Sequence, residues 1–326
     1  MNKLFENALT RADQSCPPIW MMRQAGRYQP SYMLMKEQWT FEQMCKLPRV
    51  AAQVAMLPIE EFDFDVAILF SDILWHIEGL GLPLKFDPGP KFEWHLTEEN
   101  YQDHCDIGKA MTHLKFQEYA IESTRELLPH KKSLVGFVGG PWTLLNYALG
   151  ENKDKVSDDF KCMYLTDVII PLLQSSIRHQ KAAGADAVMI FDSGLANIHK
   201  KFFDEKYLPM LKLISEIENT AYYARTLPYN SLNKVIDIGF AGIGIDSTVD
   251  LNKTLNKVEH GFVQGNFDET LLLQDSEMIL RYEIKKWLDT VEDPRGWVCG
   301  LGHGILKETP TKNVKIFVEM VRNHYS

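Results

Sequence analysis

The chain has 326 residues, 45% of them hydrophobic and 24% charged, with a formal net charge of −9. That length and balance permit a sizeable buried core in one large domain or two ordinary ones. The negative charge opposes broad attraction to nucleic acid or anionic lipid, and no apolar run approaches the roughly 18 residues of a membrane span. The first residues lack the apolar core of a signal peptide. Five scattered cysteines, Cys16, Cys45, Cys105, Cys162 and Cys299, include no Cys-x-x-Cys pair. Neither a disulfide framework nor a structural zinc site is expected, and the setting is a reducing, cytoplasmic one.

In chain order, a short apolar run at 18–23 delivers Met22-Arg23-Gln24-Ala25-Gly26-Arg27-Tyr28. Two arginines four apart at a strand end are suited to an anion, because guanidinium stays charged and grips carboxylate or phosphate with a bidentate fork. The alternative is that both sit on the surface in ion pairs. Helical spacing at 41–60 leads to a strand at 66–72 that ends in Phe70-Ser71-Asp72. Residues 79–90 are rich in glycine and proline and read as a mouth loop. A helix at 111–128 precedes a strand at 133–139, which runs into Gly139-Gly140-Pro141-Trp142-Thr143, with Tyr147 on the next helix. After a helix at 167–183, the strand at 187–193 ends in Phe191-Asp192-Ser193-Gly194. A helix at 206–218 and strands at 220–225, 241–246 and 261–266 follow, the last two ending in Asp246 and in Gln264-Gly265-Asn266. A helix at 275–291 leads to the strand at 296–302 and then His303-Gly304.

Eight strands alternating with helices predict an α/β fold with a parallel sheet and right-handed crossovers, closed as a (β/α)8 TIM-type barrel in a single domain spanning 1–326. Runs such as Ala-Val-Met-Ile-Phe are apolar throughout, as strands covered on both faces are. A doubly wound open sheet is the rival, since periodicity does not show closure. Seven of the eight strands, all but that at 220–225, finish in polar or glycine-rich residues, where barrel enzymes place their chemistry.

Those segments resemble one family, the uroporphyrinogen decarboxylases. The stretch from Pro18 to Tyr28 is similar to the family's N-terminal signature almost letter for letter. Ala67-Ile68-Leu69-Phe70-Ser71-Asp72-Ile73-Leu74, Gly139-Gly140-Pro141-Trp142-Thr143, Val263-Gln264-Gly265-Asn266 and Gly302-His303-Gly304-Ile305-Leu306 follow in the family's order. The resemblance covers essentially the whole chain. It implies a barrel, usually a homodimer, that takes the small-molecule substrate uroporphyrinogen. Its four acetate side chains become methyls, giving coproporphyrinogen in porphyrin and heme biosynthesis, with no metal and no organic cofactor. It further implies that Arg23 and Arg27 hold substrate carboxylates, with Gln24, Ala25 and Gly26 between them, and that Asp72 faces the pyrrole NH groups. Tyr147, Ser193 and His303 fall on further substrate-contacting positions and Phe191 on an apolar contact.

The chemistry is consistent with those roles. Loss of carbon dioxide leaves an electron pair, and a pyrrole protonated on carbon accepts it. A carboxylate such as Asp72 in a water-poor pocket stabilises that cation. The proton donor stays open between an arginine acting through water, Tyr147 and His303; Asp72, Arg23 and Tyr147 are the catalytic candidates. Each residue also has a plainer reading: Asp72 as a helix N-cap, Ser193 as a cap, His303 as a turn residue, Tyr147 as a packed aromatic. Asp246 and Asn266 read as structural groups or as groups supporting the site from behind, and His76, His95, His104 and His113 as surface residues. Three places depart from the family's pattern: Gly194-Leu195-Ala196, Ser247 after Asp246, and the segment from Leu227 to Lys234. Two rival functions are a non-catalytic tetrapyrrole-binding protein and a cobalamin-linked methyltransferase. The second needs a His-x-Cys zinc pair that this chain lacks.

Overall fold

A computed structural model describes residues 1–325 apart from Thr226 and Pro228, with Asn197 and Tyr229 described by backbone alone. Seven parallel strands form one sheet: β1 (Val66–Ile68), β4 (Ser133–Gly139), β5 (Ala187–Phe191), β6 (Thr220–Tyr223), β7 (Gly242–Gly244), β8 (Phe262–Phe267) and β9 (Trp297–Leu301), in the spatial order β1-β4-β5-β6-β7-β8-β9. Every residue in these strands is buried except Phe191, the last of β5. Covering on both faces accounts for their unbroken apolar character.

The eighth stave is the run beginning at Pro18, and it explains why the sheet curls shut. Ile19 bridges Cys299 of β9 in parallel, Trp20 donates its N–H to the Cys299 carbonyl, and Cys299 donates to the Pro18 carbonyl, both at 2.9 Å. On the other side the Asp65 N–H, one residue before β1, donates to the Ile19 carbonyl at 3.0 Å. Too few residues stay in register to form a full strand, so the expected strand at 18–23 is a single bridge. The backbones come close here: a Cβ on Gly300 would lie 2.1 Å from the Trp20 carbonyl oxygen. Asp65 latches the closure, since its carboxylate accepts the Ile19 N–H at 2.7 Å and the Arg322 guanidinium at 2.6 Å. Arg322 belongs to the C-terminal helix Thr311–His324, so the first stave is tied to the last helix.

Several helices differ from the sequence expectation for local reasons. The helix expected at 41–60 is two, Phe41–Lys46 and Pro48–Phe62, parted at Leu47. Thr40 and Gln43 form a reciprocal capping box at the start of the first, and Pro48, which has no N–H to offer, begins the second. The helix expected at 111–128 likewise splits into Ile107–His113 and Lys115–Leu127. The glycine- and proline-rich stretch after β1 is more ordered than a loop: it holds an antiparallel hairpin, β2 (Leu84–Phe86) with β3 (Pro90–Phe92).

Removing the Asp65 carboxylate leaves a buried backbone N–H without its acceptor and takes the ion-pair partner from the Arg322 guanidinium. Asp65→Ala is expected to lower unfolding free energy by about 3 kcal/mol, read in urea melts. A change under about 1 kcal/mol would show that closure does not depend on this latch.

Candidate active site

The C-terminal ends of the strands surround a cavity of about 430 Å³. The run that bridges β9 and β1 ends there in Met22, Arg23, Gln24 and Ala25. Arg23 takes a left-handed backbone conformation, φ 50°, unusual for a residue with a side chain. Its stem rests on Gly304, where a Cβ would come within 2.8 Å of the Arg23 Cβ and Cδ. The glycine at 304 therefore makes room for the arginine. Gln24 is buried and donates its amide to the Val66 carbonyl at 3.2 Å, while Tyr28 donates its hydroxyl to the Gln24 carbonyl at 2.6 Å. These bonds fix the turn between the two arginines.

Asp72 stands just past β1, half-buried and facing the cavity. One carboxylate oxygen accepts the Leu74 N–H at 2.9 Å, and no ion pair joins the group to Arg23. Burial pushes its carboxyl above the usual carboxylate range, against the pull of the Leu74 N–H and of the Arg23 charge. A partly desolvated carboxylate with no salt bridge among the described residues is arranged to meet a positive or NH-rich ligand. The cap-like bond to Leu74 is also present, so both readings of Asp72 describe one geometry.

At the end of β5, Asp192 is fully buried and organises its neighbours. It accepts the Thr143 N–H at 2.9 Å, the Thr143 hydroxyl and the Tyr222 hydroxyl at 2.7 Å each, and the Tyr207 hydroxyl. Thr143 in turn accepts the Gly194 N–H at 2.8 Å. The helix Pro141–Leu149, which carries Tyr147, is thus locked to the turn that carries Ser193. Phe191, Ser193 and Tyr147 all line the cavity, and Tyr147 exposes 41% of its surface there without a hydrogen-bond partner among the described contacts.

His303 completes the ring of polar groups. Its Nδ1 lies 3.2 Å from the Gly304 carbonyl, which only accepts, so the proton belongs on Nδ1 and Nε2 keeps its lone pair. Burial lowers its pKa, and the charges of Arg225 and Arg23 lower it further. The imidazole is therefore neutral at pH 7, an acceptor rather than a ready acid. A cavity of about 460 Å³ outside the barrel holds Ser247 and Asn266 but none of Arg23, Asp72, Tyr147 and His303.

The family model for uroporphyrinogen decarboxylase (URO-D) matches residues 1–324. A uroporphyrinogen decarboxylase from Orientia tsutsugamushi (strain Ikeda) is 34% identical over 350 residues, covering 100% of this chain and 99% of that protein. Another, from Anaeromyxobacter dehalogenans (strain 2CP-C), is 32% identical and covers 98% of each. The chain belongs to the uroporphyrinogen decarboxylase family. Among solved structures, a methyltransferase from Methanosarcina mazei superposes with a TM-score of 0.83 over 100% of this chain and 99% of its own, at 18% identity. That likeness concerns the fold alone.

Against the decarboxylase signature, Arg27 and Gly26 stand apart from the other residues expected here. Arg27 is exposed, and neither lines the cavity. Of the departures from the family's pattern, Gly194 and Leu195 pack against Thr143 and the core, and Ser247 is exposed away from the cavity. Of the altered segment from Leu227 to Lys234, residue 228 lies outside the described residues, and residues 229–234 belong to the helix Tyr229–Ile238. Asn266 donates to the Asp246 and Val249 carbonyls at 2.9 and 2.6 Å, and neither Asp246 nor Asn266 lines the strand-end cavity.

Two expectations fail. His76 and His104 are buried, not on the surface: His76 is 0% exposed and His104 bonds the Leu80 carbonyl at 2.9 Å while its ring packs on Trp94. Several cavity groups escaped the sequence reading, Tyr223 and Phe137 among them. Tyr223 ends β6, the one strand without a polar finish, and its hydroxyl holds the Gly302 carbonyl at 2.9 Å. Phe137 stands mid-strand on β4, and nothing in the sequence separates it from core aromatics.

Gly304→Ala is expected to displace Arg23 and raise KM about tenfold with the fold intact; an unchanged KM would place Arg23 outside the binding site. Burial holds the His76 pKa down to about 4. The unfolded chain then binds the proton first, so the folded state loses stability as pH falls from about 6.5 to about 4, by at most about 3 kcal/mol. The stability gap between the native protein and His76→Leu should accordingly shrink from pH 7 to pH 4.5. A gap independent of pH would contradict the buried neutral imidazole.

Proposed function

We propose that this chain removes carbon dioxide from the four acetate side chains of uroporphyrinogen, giving coproporphyrinogen in heme biosynthesis, and that the strand-end cavity is where it does so. Its family is the ground for the reaction. The observation that carries the site is the desolvated Asp72 carboxylate facing the cavity with Arg23, His303 and Tyr147 around it.

Each turnover protonates a pyrrole ring carbon, making a cationic, azafulvene-like ring. The bond between the acetate methylene and its carboxylate then breaks, its electron pair neutralises the ring, and carbon dioxide leaves. A second proton, added to the exocyclic methylene carbon as the ring carbon gives up its own, completes the methyl group. The net change is one proton consumed and one carbon dioxide released. Asp72 stabilises the ring cation from the nitrogen side, where low polarity magnifies its charge. Arg23 grips a peripheral carboxylate, and Arg27, outside the cavity on the exposed rim, takes another belonging to the part of the substrate that projects outward. Phe191 packs on the macrocycle, Ser193 and Tyr147 offer hydroxyls to its edge, and Gln24, Ala25 and Gly26 shape the turn between the arginines. The neutral His303, whose Nε2 accepts, is unsuited to deliver the proton. Tyr147 or water held by Arg23 is the better source.

No cofactor enters this scheme, and a cytoplasmic homodimer of single-domain barrels belongs to the same proposal on family grounds. Among the described residues no helix is long and apolar enough to cross a membrane.

The test is anaerobic incubation of the purified protein, treated with chelator, with uroporphyrinogen, and separation of products by carboxyl number. Intermediates from seven carboxyls down to four are expected, and their absence from folded protein would overturn the reading. Asp72→Asn should reduce kcat by about 10³-fold or more while the protein stays folded. Near-native turnover in that variant would remove Asp72 from the mechanism.

A further inference from the structure

Directly behind Asp72 lies a buried chain of side chains that the reaction above does not use. His76 sits in the helix Trp75–Gly79 with no exposed surface. Its Nδ1 is 3.1 Å from the Ile73 carbonyl and its Nε2 is 3.0 Å from the Ser176 hydroxyl. A carbonyl accepts only, so the Nδ1 carries the proton and Nε2 accepts from Ser176. Gln180, one turn further along the helix Ile170–Ala182, donates to the Phe137 carbonyl at 2.9 Å and reaches the Ser176 oxygen at 3.4 Å.

The geometry of the Ile73–Leu74 peptide gives this chain its meaning. Its carbonyl oxygen is held by His76, and its N–H, on the opposite edge of the same planar group, is the donor that holds the Asp72 carboxylate at 2.9 Å. A donor on the oxygen of an amide strengthens the amide's own N–H as a donor. Fixing one edge therefore fixes both the direction and the strength of the bond at the other. His76 stands three residues on, and Ser176 belongs to the helix Ile170–Ala182, so the peptide is tied through His76 to a helix a hundred positions away. Through Gln180 the same helix also holds the backbone of Phe137, a wall of the cavity.

We propose that His76, anchored by Ser176, is a positioning residue that clamps the Ile73–Leu74 peptide and so aims the Asp72 carboxylate into the cavity. The inference rests on the decarboxylase reading for its effect on turnover. Its structural half, the clamp, stands on the bonds alone. His76 touches no substrate.

The test compares His76→Leu, which fills the space and cannot donate, with His76→Asn, whose side-chain amide lies where Nδ1 was and can bond the Ile73 carbonyl. Two quantities are read: hydrogen exchange at the Leu74 amide in the ligand-free protein, and kcat and KM with uroporphyrinogen. In His76→Leu, Leu74 exchange should accelerate at least tenfold with β4 amides unchanged, and kcat should fall at least tenfold with KM within threefold. His76→Asn should restore Leu74 protection and most of kcat. A merely structural histidine would loosen β4 together with Leu74, and that result overturns the proposal. Unchanged Leu74 exchange in His76→Leu overturns it as well, as does faster exchange with native kcat. If His76→Leu does not fold, Ser176→Ala is read in its place: releasing Nε2 should speed Leu74 exchange at least threefold, and no change counts against the clamp. Absence of turnover in the native protein would sink the decarboxylase reading, while Leu74 exchange would still decide the clamp.

Discussion

The architecture of the mouth depends on a short backbone passage, Pro18 to Trp20, wedged between β9 and β1. It has only a few hydrogen bonds on each side, so it holds its place through one buried carboxylate: Asp65 anchors its N–H and recruits Arg322 from the last helix. The consequence lies three residues further on. Because this stave enters from the bottom of the barrel, its upper end brings Arg23 to the rim beside Gly304, and the next turn places Arg27 outside. Closure and cation placement are one event in this fold. A chain of net charge −9 concentrates its useful positive charge here by threading, without a basic surface.

Two aspartates, one past β1 and one past β5, show how surroundings decide what a carboxylate does. Asp192 is buried and saturated, with four donors converging on it from Thr143, Tyr207 and Tyr222. Such a group stiffens the scaffold and has little capacity left for a ligand. Asp72 accepts one backbone N–H and otherwise faces open cavity. Burial raises the pKa of both, but only at Asp72 is the unspent potential directed where a ligand cation would form. The neutral His303 beside Arg23 and Arg225 fits the same arrangement: positive charge at the rim, negative charge in the depth, an acceptor between them.

Much of this was legible in the sequence because barrel strands are apolar until they end, so a polar residue after an apolar run marks the mouth. Asp72, Ser193 and His303 were found that way. Arg27 was found with them, yet its side chain stands outside the cavity, since four residues of turn carry it past the rim. Tyr223 escaped because an aromatic at a strand end looks like core. The breaks at Leu47 and Leu114 escaped because apolar spacing runs through them, although Pro48 signalled the first. His76 was misread as a surface residue for a deeper reason: its ring nitrogen is satisfied by Ser176, a hundred positions away, and no local pattern announces that pairing.

The central claim is that Asp72 meets the nitrogens of a tetrapyrrole whose rim carboxylates are held by arginine. The most direct measurement is a crystal structure with the coproporphyrinogen product bound under anaerobic conditions. The account predicts pyrrole NH groups within hydrogen-bond distance of the Asp72 carboxylate and a peripheral propionate on Arg23. A product bound with its nitrogens turned away from Asp72, or seated outside the strand-end cavity, would contradict it.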